Sequence, residues 1–231
     1  MLGWITGILY LSPADESGVL NTCTSASAGC KENCLRKSGR LGFTRNERVR
    51  IEKTKLLVFQ RELFLECLRY DIERLMRRAW KRGMRACVRV NGTSDLAWLA
   101  LLMAGEYPEV QFYDYTKHKN PELRVRENYH LTFSYSGENL GETLRVLAGG
   151  KVNASVVFGV KRGRPLPREW EGYRVIDGDR HDLRFKDRKG VVVGLRAKGV
   201  ARGKVCSFIV AADRPEPFAL APLVQIMGMA A

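Results

Sequence analysis

From Ala86 onward the chain alternates between strand-like and helix-like segments, and this alternation restricts the fold more than any other feature. "ACVRVNG" (86–92) reads as a strand, and "SDLAWLALLMAGEY" (94–107) as a helix capped by Ser94 or Thr93. Strands follow at 109–116 ("EVQFYDYT") and 129–136 ("YHLTFSYS"), then a glycine-closed helix at 138–150. Further strands are expected at 152–160, 173–177 and 190–199, and "WITGILYL" (4–11) reads as the first strand of the chain. Strands separated by helices or crossover-length segments pair in parallel, with right-handed crossovers. The expected class is therefore α/β with a mostly parallel sheet.

Between the first strand and Ala86 lies one long helical pattern. Thr44-Arg45-Asn46-Glu47 has the form of a capping box. Leu56, Phe59, Leu63, Phe64, Cys67, Leu68, Ile72, Leu75 and Met76 recur at spacings of three and four, which makes one apolar stripe. The pattern is one long helix or a broken pair, and it ends near Lys81-Arg82-Gly83, where basic residues and glycine suit a C-terminus. No repeat, low-complexity tract or linker interrupts the 231 residues. One domain is expected over 1–231, with 1–43 as first strand and Cys loop and 200–231 as a C-terminal extension. Its apolar, proline-containing end (215–231) is expected to pack on the domain or an interface.

In parallel α/β sheets and barrels, ligands bind at the carboxyl ends of strands. Polar residues gather where these strands end: Asn91-Gly92-Thr93-Ser94-Asp95, Tyr113-Asp114-Tyr115-Thr116-Lys117, Ser134-Tyr135-Ser136, Lys161-Arg162, Asp177-Gly178-Asp179 and Arg196-Ala197-Lys198-Gly199. Together they describe a barrel mouth or crevice. Asp114 and Tyr113 are the candidates for chemistry, and Tyr115, Lys117, Asp177, Asp179 and Lys198 for substrate contact. Within a strand, Tyr113 and Tyr115 share one face and Asp114 takes the other. Either Asp114 or the tyrosine pair points inward. A carboxylate inside would orient substrate or transfer protons; a tyrosine would donate a hydrogen atom or stack on a base. Salt bridging among Asp177, Lys198 and their neighbours is the competing reading.

The first strand is followed by "NTCTSASAGCKENCLRKSGR" (21–40), which puts Cys23, Cys30 and Cys34 among small polar residues, glycine and charge. Cysteines that merely pack sit on apolar faces, which is the reading expected of Cys67, Cys87 and Cys206. Thiolates bind zinc, copper(I) or iron–sulfur iron. Structural zinc takes four ligands, and His118, His130 and His181 each stand alone in the sequence. Three thiolates with one open position suit a [4Fe–4S] cluster. A basic nucleic-acid-binding accessory protein with structural zinc in this loop is the alternative.

The net charge of +14, from 39 Lys and Arg against 25 Asp and Glu, favours polyanions such as nucleic acid or a phosphorylated substrate. Eighteen of the 39 lie between Lys31 and Arg89. Arg36, Lys37, Arg40 and Arg45 leave the Cys loop, close enough to the thiols for phosphate contact. Arg77, Arg78, Lys81, Arg82 and Arg85 read as a solvated helix end. No residue before Lys31 is basic, so the apolar start lacks the flank of a signal peptide and is too short to span a bilayer. A cytoplasmic protein without membrane contact, with reduced thiols, is expected.

A strand, three-cysteine loop, helix, strand and polar turn in that order resembles the radical S-adenosylmethionine (SAM) superfamily. "SAGC", "RVNGTSD", "VQFYDYTK", "YHLTFS", "VIDGD" and "VVVGLRAKG" resemble more closely a phage-encoded family known as gene product 88, from the first strand to Gly199. The superfamily resemblance implies a partial (β/α) barrel with a Cys-rich loop after the first strand. It implies a [4Fe–4S] cluster on Cys23, Cys30 and Cys34, SAM bound near Asn91, Gly92, Ser94, Asp95 and Ser134, and a separate reductant protein. The implied activity is reductive cleavage of SAM to modify a substrate, with nucleic acid or a nucleotide suggested by the charge, in a phage context.

Overall fold

A computed structural model describes residues 3–211. The chain order is β1 (Trp4–Ile8), α1 (Ala28–Glu32), α2 (Thr44–Phe59), α3 (Arg61–Trp80), β2 (Arg85–Arg89), α4 (Ala97–Glu106), β3 (Gln111–Thr116) and β4 (Tyr129–Ser134). It continues with α5 (Leu140–Ala148), β5 (Asn153–Phe158), β6 (Glu169–Trp170), β7 (Tyr173–Asp177), β8 (Val192–Arg196) and β9 (Ile209–Val210). The end of the C-terminal extension, including 215–231, lies outside the described residues.

The alternation produces the parallel sheet expected of it. Its order is β1-β2-β3-β4-β5-β8-β7-β6, and every pairing is parallel except the β6–β7 hairpin. β9 joins the far end of β5 through Val157 and Phe158, beyond the last β4 pairing at Ser155. The first five strands keep sequence order, as in a barrel, but the sheet does not close. One margin is β1; the other is the two-residue antiparallel β6, which offers no continuing edge that could reach it.

Side chains alternate between the two faces, as the pleat requires. Val88, Phe112, Leu131 and Phe133 face the helices and meet Phe64, Leu65, Leu68 and Ile72 of α3 and Leu99 and Met103 of α4 in one buried core. Helix α3 lies so close to β1 that a Cβ on Gly7 would stand 2.9 Å from Leu75 Cδ2. The other face carries Cys87 and Tyr113, covered by Leu183 and Phe185 and flanked by Trp4.

The long helical pattern is a broken pair, interrupted at Gln60, which leaves helical geometry (φ −141°, ψ 61°). The capping box does not form. Phe43 is the residue before the helix, its carbonyl accepts from Asn46 N and Glu47 N, and Thr44 is already helical. Helix α4 starts at Ala97 because the Asn91 side chain holds 91–96 in a turn, Oδ1 accepting from Ser94 Oγ and Leu96 N. Helix α3 stops where Gly83 takes a left-handed φ of 59°, which lets Met84 N turn back onto Ala79 O. Among the described residues no helix is long and apolar enough to cross a membrane.

Candidate functional site

At the carboxyl ends of the strands a cavity of about 450 Å³ opens, within the range of small-molecule sites. Side chains from β1, β2, β3, β4, β5 and β8 and the loops that follow them line it. Of the residues singled out in the sequence, Cys23, Cys30, Cys34, Asn91, Gly92, Ser94, Asp95, Tyr115, Lys117, Ser134, Asp179 and Lys198 all lie on its wall. Asp114, Tyr113 and Asp177 do not.

The cysteine loop is fastened to the sheet at several points. Cys23 Sγ donates to Thr93 O (3.4 Å), and Asp95 N donates to Thr22 O (2.8 Å). Ser27 caps α1: its Oγ accepts from Cys30 N (3.2 Å) and donates to Ser136 O just beyond β4 (2.7 Å). Thr93 Oγ1 donates to Leu11 O (2.6 Å), which ties the β2 turn to the chain leaving β1. Gly92 belongs here sterically. A Cβ on it would stand 2.7 Å from Ile8 Cγ2, Leu9 O and Tyr10 Cδ1.

Asp114 faces the helices. Its carboxylate accepts from Asn91 N (2.8 Å), Asn91 Nδ2 (3.1 Å) and Tyr129 Oη (3.3 Å), so it shapes the turn from beneath rather than meeting a ligand. Burial pushes its acid up to about 7, against the two Asn91 bonds and Arg89, which pull it down. The tyrosines therefore point inward. Tyr113 Oη donates to Asp182 Oδ2 (3.1 Å) from a closed apolar cluster, and Tyr115 Oη donates to Asp182 Oδ1 (3.4 Å) from the cavity wall. Burial, with Asp182 beside them, raises both phenols. Arg89 completes this group, 4.5 Å from the Tyr115 ring centroid and 3.4 Å from Asp182. Arg89 and Asp182 were not singled out. Only the pleat and a loop from the far side of the sheet bring them together.

Asp177, Asp179, Arg196 and Lys198 form an ion-pair network: Arg196 grips both Asp177 oxygens (2.9 and 3.1 Å) and Asp179 (3.0 Å), and Lys198 meets Asp179 (2.8 Å). The Arg196 bond holds the Asp177 carboxyl low. For Asp179 burial works upward, but Lys198 and Arg196 outweigh it and the carboxyl lies low as well.

Burial raises the thiols of Cys23 and Cys34. Lys117 shares the cavity wall with the three sulfurs. Burial works against its charge, but Cys30, Asp95 and Cys23 outweigh that and raise it. The three cysteines are the side chains that could hold a metal. As they stand they are neighbours on one wall, not a closed cage. Among the described residues no three His, Cys, Asp or Glu side chains are arranged to hold one ion. A tetrahedral zinc with Zn–S bonds of about 2.3 Å needs its sulfurs within about 4 Å of each other. A cubane gives each thiolate its own iron and so accepts wider spacing.

No curated protein and no solved structure matches the chain. The family model of gene product 88 matches residues 2–212, the whole sheet and the cysteine loop included. The chain belongs to the gene product 88 family.

Proposed function

We propose that the chain is an iron–sulfur enzyme of the radical SAM type, acting on a phosphorylated substrate such as a nucleic acid or nucleotide. The observation that carries the reading is the meeting of Cys23, Cys30 and Cys34 on one cavity at the carboxyl rim of strands that keep sequence order. On this reading the open sheet is the partial barrel of that superfamily. When bound, a [4Fe–4S] cluster supplies single electrons, which cleave SAM to a carbon radical. The chain's own residues do the rest. Lys117 offsets the negative charge of the sulfurs, beside Cys30. The 91–95 turn, pinned by Asp114, offers polar groups at fixed positions, and Ser134, bonded to Ser155 Oγ (3.2 Å), offers a hydroxyl opposite. Arg89, Tyr115 and Asp182 form a polar floor, and Lys198, exposed beside Asp179, is placed to meet a phosphate.

The test is anaerobic loading with iron and sulfide, then incubation with SAM and dithionite. Release of 5′-deoxyadenosine, lost in Cys30→Ala, is the expected result. A colourless chain that takes up one zinc and leaves SAM intact would replace this reading with that of a nucleic-acid-binding accessory protein.

A further inference from the structure

The last turns of α3 and the two residues after it carry Arg74, Arg77, Arg78, Lys81 and Arg82 around an open recess of about 420 Å³, and Arg85 follows three residues later. All six side chains are exposed. From residue 74 to 85 there is no acid. Among the described residues only Arg77 of the recess meets a carboxylate, Glu73 at 3.6 Å. Arg85 stacks on Trp4 at 4.4 Å, and favourable contact with a helix C-terminus reaches one turn and accounts for one or two cations, not for Arg74, Arg78, Lys81 and Arg82 together. Beside the recess, on the Arg77 side of the helix end, stands Trp80, 81 % exposed, the most exposed large hydrophobic side chain among the described residues. The fold gains little from it. A flat apolar ring beside a cluster of cations matches a ligand that is both polyanionic and rich in flat rings.

We propose that this end of α3 binds single-stranded nucleic acid, with phosphates on Arg74, Arg78, Lys81 and Arg82 and an unpaired base stacked on Trp80. Exposed aromatics also enter lipid headgroups, but a helix that does so presents a continuous apolar face. One and two turns back from Trp80 the exposed positions are Arg77 and Glu73, so the ring stands alone in a charged face. Helix α3 delivers the chain to the start of β2, whereas the thiols lie beyond the strands' carboxyl ends. The two regions occupy opposite ends of the sheet, and this binding does not rest on the cluster.

The test is fluorescence anisotropy of a labelled oligothymidylate and an oligouridylate with the full chain, across a salt series. Arg78→Glu/Arg82→Glu weakens binding tenfold or more and flattens the slope of log K against log salt by about 1.4, at about 0.7 per phosphate contact. Trp80→Ala weakens binding about tenfold and leaves that slope unchanged. Arg168→Glu/Arg174→Glu on the β6–β7 hairpin, an equal change of charge, leaves binding within twofold. Equal losses from the hairpin and α3 variants, full affinity in Trp80→Ala, or preference for anionic vesicles over oligonucleotides would overturn the proposal. Circular dichroism confirms that each variant is folded.

Discussion

The substitution Asp114→Asn tests the account of the β2 turn, because its effect should reverse with pH. The three donors on the carboxylate come from Asn91 N, Asn91 Nδ2 and Tyr129 Oη. Tyr129 can rotate its hydroxyl, but Asn91 cannot flip, since its Oδ1 is engaged by Ser94 Oγ and Leu96 N. The amide nitrogen that the substitution introduces therefore faces the Asn91 amide nitrogen, at a cost of about 1–3 kcal/mol for one stranded donor. Protonated Asp114 has nearly the same shape, so this cost is the whole difference below about pH 4, where folded and unfolded chains are both protonated. Burial raises the native acid to about 7, whereas the unfolded chain titrates near the ordinary carboxylate value. The folded state thus holds a proton that the unfolded state has released, and the contribution of Asp114 to native stability falls as pH rises from about 4 to 7. At about 1.4 kcal/mol per unit, the loss approaches 4 kcal/mol. The amide of the variant does not titrate. Urea unfolding at about pH 3.5 and pH 8.5 should show the variant less stable at the lower pH and equal or more stable at the higher one. A difference that stays constant across that range would refute the account of the buried acid.

Three further outcomes follow from the same geometry. Gly92→Ala forces a methyl against Leu9 O and Ile8 and should cost about 2–3 kcal/mol in urea unfolding, with no pH dependence. His130, pushed down to about 4 by burial with Lys189 and Arg184 adding to the effect, stays neutral in the fold while the unfolded chain takes up a proton below about 6.5. The contribution of His130 to stability should therefore fall between pH 6.5 and 4 by up to about 3 kcal/mol, so that His130→Leu gains on the native chain by that amount across an acid titration. Arg184 and Asp187 form a buried ion pair at 3.2 Å. Arg184→Met alone should cost about 3–5 kcal/mol by stranding Asp187, and Arg184→Met/Asp187→Leu should recover most of it by thermal melting.

The parallel sheet was legible because each strand is a short β-branched or aromatic run closed by polar turn residues. "YRVID" reads as a strand over the same five residues that form β7. What escaped was decided by tertiary contact. The capping box at Thr44 does not form because the helix begins one residue earlier than the box requires, with Phe43 O receiving the first helical bonds. The two-residue strands β6 and β9 are too short to show any period, and β9 exists only because the end of β5 outruns β4. The rim was legible through the rule that ligands sit at strand ends. The choice between Asp114 and the tyrosines was not, because alternation says which residues share a face but not which face is inner. Arg89 and Asp182 lie 93 residues apart and are joined only by the curl of the sheet. The α3 end read as a solvated face because the sequence shows the charges but not the exposure of Trp80 among them.

The central claim is that Cys23, Cys30 and Cys34 together hold a cluster at the mouth of the cavity. Its most direct measurement is the iron, acid-labile sulfide and zinc content of the full chain purified without oxygen, beside single Cys→Ser variants at the three positions. The account predicts a brown protein with about four iron and four sulfide per chain, lost in each variant but retained in Cys67→Ser. A colourless chain, or iron that persists in all three variants, would contradict it.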